Sequence, residues 1–215
     1  MTTQRSAVLC AVVALGGALL AGCGNDHATG AGAAGHERAV PASAPAASPG
    51  TRLTADQAER KALIPAAKVD YERALRAAVA EVRAAKPVAA ELKGTPKSPY
   101  WRTQVATSGG TVRVVHVDAV SGKAEPPRTD SADAGDRKKL ADRLAAATVT
   151  PQQAVRTATA RTRGTVSAVE LGEADGGSRK PAWSVDVVTT ADWKKTTYDI
   201  DATSRKVLRT HVDRD

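Results

Sequence analysis

One stretch of this chain is written twice. Laying residues 69–92 over 149–171 pairs Val69 with Val149, Ala74 with Ala154, Arg76 with Arg156, Ala78 with Ala158, Ala80 with Ala160 and Arg83 with Arg163. After a one-residue gap, Ala89, Glu91 and Leu92 align with Ala168, Glu170 and Leu171. Further on, Pro99, Trp101 and Val105 match Pro181, Trp183 and Val187, and Asp118-Ala119-Val120-Ser121-Gly122-Lys123 matches Asp201-Ala202-Thr203-Ser204-Arg205-Lys206. An internal duplication in 215 residues makes each unit small. With three Trp, three Tyr and no Phe, the cores must be built from Val, Leu and Ala around a few rings.

Each copy opens with helical spacing. Leu75, Ala78, Val79 and Val82 form one apolar stripe, and Val155, Ala158 and Thr162 a weaker one. Asp70 is placed to cap the first helix. Thr150-Pro151-Gln152-Gln153 reads as an N-cap, a first-turn proline and a capping-box glutamine for the second. The helices are expected to end near Pro87 and Gly164. The period then changes to two: Val169 and Leu171, then Trp183, Val185 and Val187, then Thr196, Tyr198 and Ile200, with Gly109-Gly110 and Ala191-Asp192 at turns and a last strand over 207–212. The fold class predicted is α+β, in two tandem units, each one helix packed on a three- or four-stranded antiparallel sheet. Trp101 and Trp183 are expected to anchor the two cores. Pro126-Pro127 should shorten the last strand of the first copy or push it to an edge, and Arg205 in place of the turn glycine implies a strained or different turn.

This succession of helix, strands with Trp-x-Val-x-Val-like alternation, and Val-Asp-Ala-x-[Ser/Thr]-Gly-Lys resembles the PepSY domain in both copies, over about 69–125 and 149–212. That family is known from propeptides of thermolysin-like metallopeptidases, from a partner of a spore-cortex hydrolase and from many bacterial lipoproteins. The resemblance implies a non-catalytic module that contacts another extracytoplasmic protein, such as a peptidase, and regulates it.

The N-terminal region reads as an export signal. Arg5 precedes an apolar run from Ala7 to Gly22, too short for a comfortable membrane span. The run closes with Leu20-Ala21-Gly22-Cys23, which resembles a bacterial lipobox, so Cys23 is the expected lipidation site and the cell membrane, on its extracytoplasmic face, the expected location. Cleavage elsewhere, leaving Cys23 an incidental thiol, is the alternative. Residues 24–50, rich in Ala, Gly, Pro and Ser, read as a disordered tether. The organisation expected is therefore a signal peptide (1–22), lipidated Cys and tether (23–50), a helical lead-in (51–68), a first PepSY-like domain (69–125), a linker with a short helix (126–148) and a second PepSY-like domain (149–215). Asp56–Leu63 and Asp136–Ala147 read as the short helices outside the duplication, packing the two sheets together or spacing them.

Catalytic machinery is not visible in the sequence. Gly30-Ala31-Gly32-Ala33-Ala34-Gly35 matches a dinucleotide fingerprint by letter, but no strand precedes it and no amphipathic helix follows. Asp199-Ile200-Asp201-Ala202-Thr203 matches the haloacid-dehalogenase nucleophile motif, yet the first copy has His116 where the second has Asp199, so the repeated feature is a turn-initiating Asp118 or Asp201. His27, His36, His116 and His211 show no metal spacing, and Cys10 and Cys23 leave the rest of the chain without a thiolate site or an internal disulfide. No enzyme activity, cofactor or metal is expected.

The formal charge of +8 has too few rings beside it for nucleic acid and suits an anionic wall polymer or lipid, the basis of a rival reading as an electrostatic binder without a protein partner. Arg76 with Arg83, and Arg156 with Arg163, are seven apart and expected to share a helix face, solvated or serving as a ridge for an acidic partner. Trp193, beside Lys194 and Lys195 at a hairpin turn and without a counterpart in the first copy, is the candidate partner contact, either as an exposed anchor or folded back over the sheet edge.

Overall fold

The computed structural model describes residues 52–174 and 180–213; the signal segment, Cys23, the tether and the glycine-rich string lie outside the described residues. The described chain is α+β, with helices α1 (Ala55–Leu63), α2 (Tyr71–Glu81), α3 (Ala134–Ala146) and α4 (Pro151–Thr159). The strands are β1 (Lys86–Thr95), β2 (Ser98–Ala106), β3 (Val112–Asp118), β4 (Arg128–Thr129), β5 (Thr165–Glu173), β6 (Pro181–Val188), β7 (Lys195–Asp201) and β8 (Val207–Val212). They form one antiparallel sheet in the order β4-β3-β2-β1-β5-β6-β7-β8.

That order is symmetric about the β1:β5 junction, where Ala89, Ala90 and Glu91 pair with Glu170, Val169 and Ala168. Each half supplies a helix and four strands, and the halves meet edge to edge. Joining them hides two strand edges that would otherwise invite pairing with other chains. It also makes the core continuous: one apolar cluster includes Leu75, Trp101 and Val115 from the first half and Val155, Trp183 and Ile200 from the second. Both bordering strands carry a bulge at equivalent places, between Pro87 and Ala89 in β1 and between Val166 and Ala168 in β5. A bulge adds local twist, and Pro87, which has no N–H to donate, sits where the first ladder is interrupted.

The helices begin where their caps dictate. Asp70 accepts from Arg73 N at 2.8 Å, and Thr150 and Gln153 close a reciprocal box behind Pro151. They stop earlier than the turn residues suggest. α2 ends at Glu81 and α4 at Thr159, before Arg83 and Arg163, so neither arginine pair shares a helix face. Ala84, with φ +57°, turns the chain into β1 well ahead of Pro87.

The lead-in helices are part of the repeat. α1 precedes the first half but reaches the β6–β7 turn of the second, where Arg60 donates to Trp193 O at 3.0 Å and to Asp213 Oδ2 at 2.6 Å. α3, with Leu140 and Leu144 buried, precedes the second half but lies against the β2–β3 turn of the first. A Cβ on Gly110 would stand 1.9 Å from Arg137 O, so only glycine permits this approach. Each lead-in helix thus crosses to the other half. Pro126-Pro127 precedes β4, which is reduced to two residues at the sheet edge.

Candidate functional site

α2 and α4 cover one face of the sheet, and the open face is polar. Across the strands, His116, Arg102, Glu91, Ala168, Asp186, Thr197 and His211 stand in register as one continuous row. Thr197 Oγ1 donates to Asp186 Oδ1 at 2.6 Å, and Lys195 Nζ lies 3.6 Å from Asp186 and 3.8 Å from Asp213. Shallow grooves indent this face, two of them toward its ends. One, of about 300 Å³, is lined by Glu170, Ser184, Thr197, Asp199, Arg209 and His211. The other, of about 590 Å³, is lined by Tyr100, His116, Asp118, Lys123 and Glu125. In it the Tyr100 and His116 rings lie 4.8 Å apart and His116 Nδ1 is 3.7 Å from Glu125.

The helix side is basic. Arg73, Arg83, Arg156, Arg161 and Arg163 are exposed there and make no ion pair among the described residues, whereas Arg76 is held by Glu72 at 2.6 Å. Tyr71, at the start of α2, has its hydroxyl pushed up to about 12, first by burial and then by Glu72 and Asp70. Among the described residues no group of three or more His, Cys, Asp or Glu is arranged to hold a metal, and no helix is long and apolar enough to cross a membrane.

The two aspartates of the suspected nucleophile motif do different work. Asp201 Oδ1 accepts from Thr203 Oγ1 at 2.6 Å, Thr203 N at 2.8 Å and Ser204 N at 2.9 Å. These bonds, led by the Thr203 hydroxyl, hold its carboxyl below the usual range. Asp118 repeats the turn with Ser121 and Val120 and is likewise lowered, chiefly by the Ser121 amide. Asp199 points to the open face opposite Arg209 in β8, in the strand position where β3 carries His116. The turns that follow align as well: Gly122 has φ +80° and Arg205 φ +64°, so Arg205 adopts the glycine-type turn.

Trp101 and Trp183 are core residues, 2% and 3% exposed, and their Nε1–H groups donate to Val69 O and Val149 O at 2.7 and 2.8 Å. Trp193 is half-buried against the core rather than an exposed anchor. Its φ of +60° places it where Gly110, at φ +77°, stands in the first half, a counterpart hidden from sequence alignment by the extra residue of its turn. Lys194 is exposed beside Asp192 at 3.5 Å, and Lys195 is drawn into the Asp186–Asp213 pair.

Residues 148–211 match the PepSY family model, described as peptidase propeptide and YPEB domain. The matched segment runs from just before α4 into β8 and includes Trp183 and the Asp201 turn. A solved structure described as "a putative lipoprotein" from Clostridium difficile 630 is similar at 18% identity, over 68% of this chain and 95% of that one, with a TM-score of 0.44. No curated protein matches the sequence. Outside the PepSY match, the first half carries the same hydrogen bonds: Lys68 N and Val69 N donate to Ala119 O as Thr148 N and Val149 N donate to Ala202 O.

Proposed function

We propose that the chain is a lipid-anchored, extracytoplasmic protein-binding module made of two PepSY units, regulating a peptidase or other envelope protein by non-catalytic contact. The observation that carries the reading is the PepSY match over residues 148–211, in a fold whose sheet turns a polar, grooved face away from α2 and α4, with α1 bordering it near Asp186 and Lys195. The family's description as a peptidase propeptide supports the peptidase as partner class, and the repeated hydrogen bonds support the second unit. Leu20-Ala21-Gly22-Cys23 supports the anchor. Trp193, Lys194 and Lys195 form one candidate contact at the β6–β7 turn, with Lys194 its most accessible member.

The test is mass spectrometry of what co-purifies with the tagged full-length chain from its own membranes, washed first at low and then at high salt. A near-stoichiometric protein that survives high salt is the expected outcome, and its activity is then assayed with and without the chain. Cys23→Ala should abolish acyl labelling and release the product or leave it unprocessed; unchanged labelling overturns the anchor.

A second reading has its own support. The unpaired arginines of the helix side suit an anionic wall polymer or lipid surface. Recovery of anionic polymer alone, stripped by high salt, would replace the protein-binding reading with this one.

A further inference from the structure

The sheet has two outer edges, and they are finished differently. β4 is two residues long behind Pro126-Pro127, whereas its counterpart β8 runs six residues with no strand among the described residues paired to its outer side. Among the described residues three large hydrophobic side chains are well exposed, and two of them, Leu208 at 43% and Val212 at 42%, are on β8. Asp213 N donates to Lys195 O at 2.9 Å, which makes that a hydrogen-bonded pair of the antiparallel ladder. By alternation, His211 and Arg209 also face β7, and the N–H and C=O of Thr210 and Val212 point outward, away from any strand among the described residues.

An unguarded edge of this kind is a template for strand addition. Its charge says what would add. Arg205 and Lys206 are exposed at the start of the strand without ion pairs among the described residues, and the acid at its other end, Asp213, is engaged by Arg60 and Lys195. An antiparallel second copy would set this basic cluster beside the far end of β8, where Asp213, already engaged by Arg60 and Lys195, is the nearest acid among the described residues.

The geometry points to β8 as the docking edge for an extended partner segment that carries acidic residues alternating with apolar ones. The segment's main chain pairs with Thr210 and Val212, its apolar side chains lie beside Leu208 and Val212, and its carboxylates meet Arg205 and Lys206. This rests on the protein-binding reading and names the surface and the partner's chemistry.

The probes are two synthetic hexapeptides, one alternating Glu and Val and one alternating Lys and Val, titrated into the full-length chain in detergent with residue-resolved amide exchange as readout. The acidic peptide should bind at least tenfold more tightly and slow exchange at Thr210 and Val212, while Arg209 and His211, already bonded to β7, change little. Thr210→Pro removes an outward N–H and no bond to β7, at an edge-strand position where proline is tolerated, and should abolish the effect while Arg209 and His211 stay protected; Leu208→Ser should weaken binding several-fold without touching the backbone. Equal binding of both peptides, protection elsewhere, or a concentration-dependent dimer lost in Thr210→Pro overturns the proposal. If the partner captured from membranes stays bound to Thr210→Pro, this edge is excluded while the protein-binding reading stands.

Discussion

Arg60 and Asp213 are bound at 2.6 Å, tying the first helix of the described chain to the end of its last strand. Their side chains are 14% and 16% exposed, so the pair is largely withdrawn from water. Arg60 also donates to Trp193 O, and Lys195 shares the same carboxylate. One guanidinium therefore closes a loop from α1 to β7 and β8. It does so across the junction between the halves.

Truncating Arg60 leaves a mostly buried carboxylate with Lys195 as its remaining partner. Arg60→Ala should lower stability by about 2–3 kcal/mol in denaturant unfolding. It should also raise amide exchange across α1 and the β6–β7 turn while α2 and β2 stay protected. A stability loss below a few tenths of a kcal/mol would reduce the pair to an ordinary surface contact.

Much of this arrangement can be read from the residues. The duplication, the caps at Asp70 and Thr150, the tryptophan anchors and the Asp118 and Asp201 turns are all set by local chemistry, and local chemistry is what a sequence displays. The edge-to-edge joining of the halves is not, because Ala89–Glu91 and Ala168–Glu170 look like any half-buried strand until their partner is known. The place of α1 and α3 in the repeat was hidden for another reason. Their sequences have diverged, and what they share is a docking position set by distant turns at Trp193 and Gly110. The helix ends are not legible in the same way, because the stripe through Val82 and Thr162 runs past Glu81 and Thr159, where α2 and α4 stop. The open edge was invisible too, since exposure of Leu208 and Val212 depends on how far α4 extends over the sheet.

Gly122 and Arg205 test whether the two turns are one conformation. At φ +64° a non-glycine residue is strained, and the Arg205 side chain is exposed, with no ion pair or side-chain hydrogen bond among the described residues to lose on truncation. Arg205→Gly should stabilise the chain by about 0.5–1 kcal/mol, the relief of strain exceeding the added freedom of the unfolded state. Gly122→Ala should destabilise, because φ is +80° and the new Cβ would stand 3.1 Å from Arg73 Nε. Thermal melts of the two variants should move in opposite directions.

Trp101 and Trp183 should prove equivalent in energy as well as position. Replacing either with Phe deletes the donor to a buried carbonyl, Val69 O or Val149 O, and part of a core ring. Each change should lower stability by about 2–4 kcal/mol. The two losses should agree within about 1 kcal/mol, since both sites make the same bond at the same burial. A much smaller loss at Trp101 would mean that the half outside the PepSY match is held together differently.

Acid should attack the second half first. The folded-state pKa of Asp201 lies below its ordinary value of 3.8, held down chiefly by the Thr203 hydroxyl, and the side chain is buried. A carboxyl lowered by folding contributes fully above its unfolded pKa, and the contribution fades as pH falls through the folded one. Stability should therefore decline below about pH 4, and Asp201→Asn, which keeps an acceptor but carries no charge, should flatten that decline. Asp118 is lowered in the same direction but is solvent-exposed, so Asp118→Asn should change the acid limb less. Urea unfolding of the two variants between about pH 2 and 6 checks the order. If the Asp118 variant alters the slope more, the buried turn at Asp201 is not what makes the fold acid-sensitive.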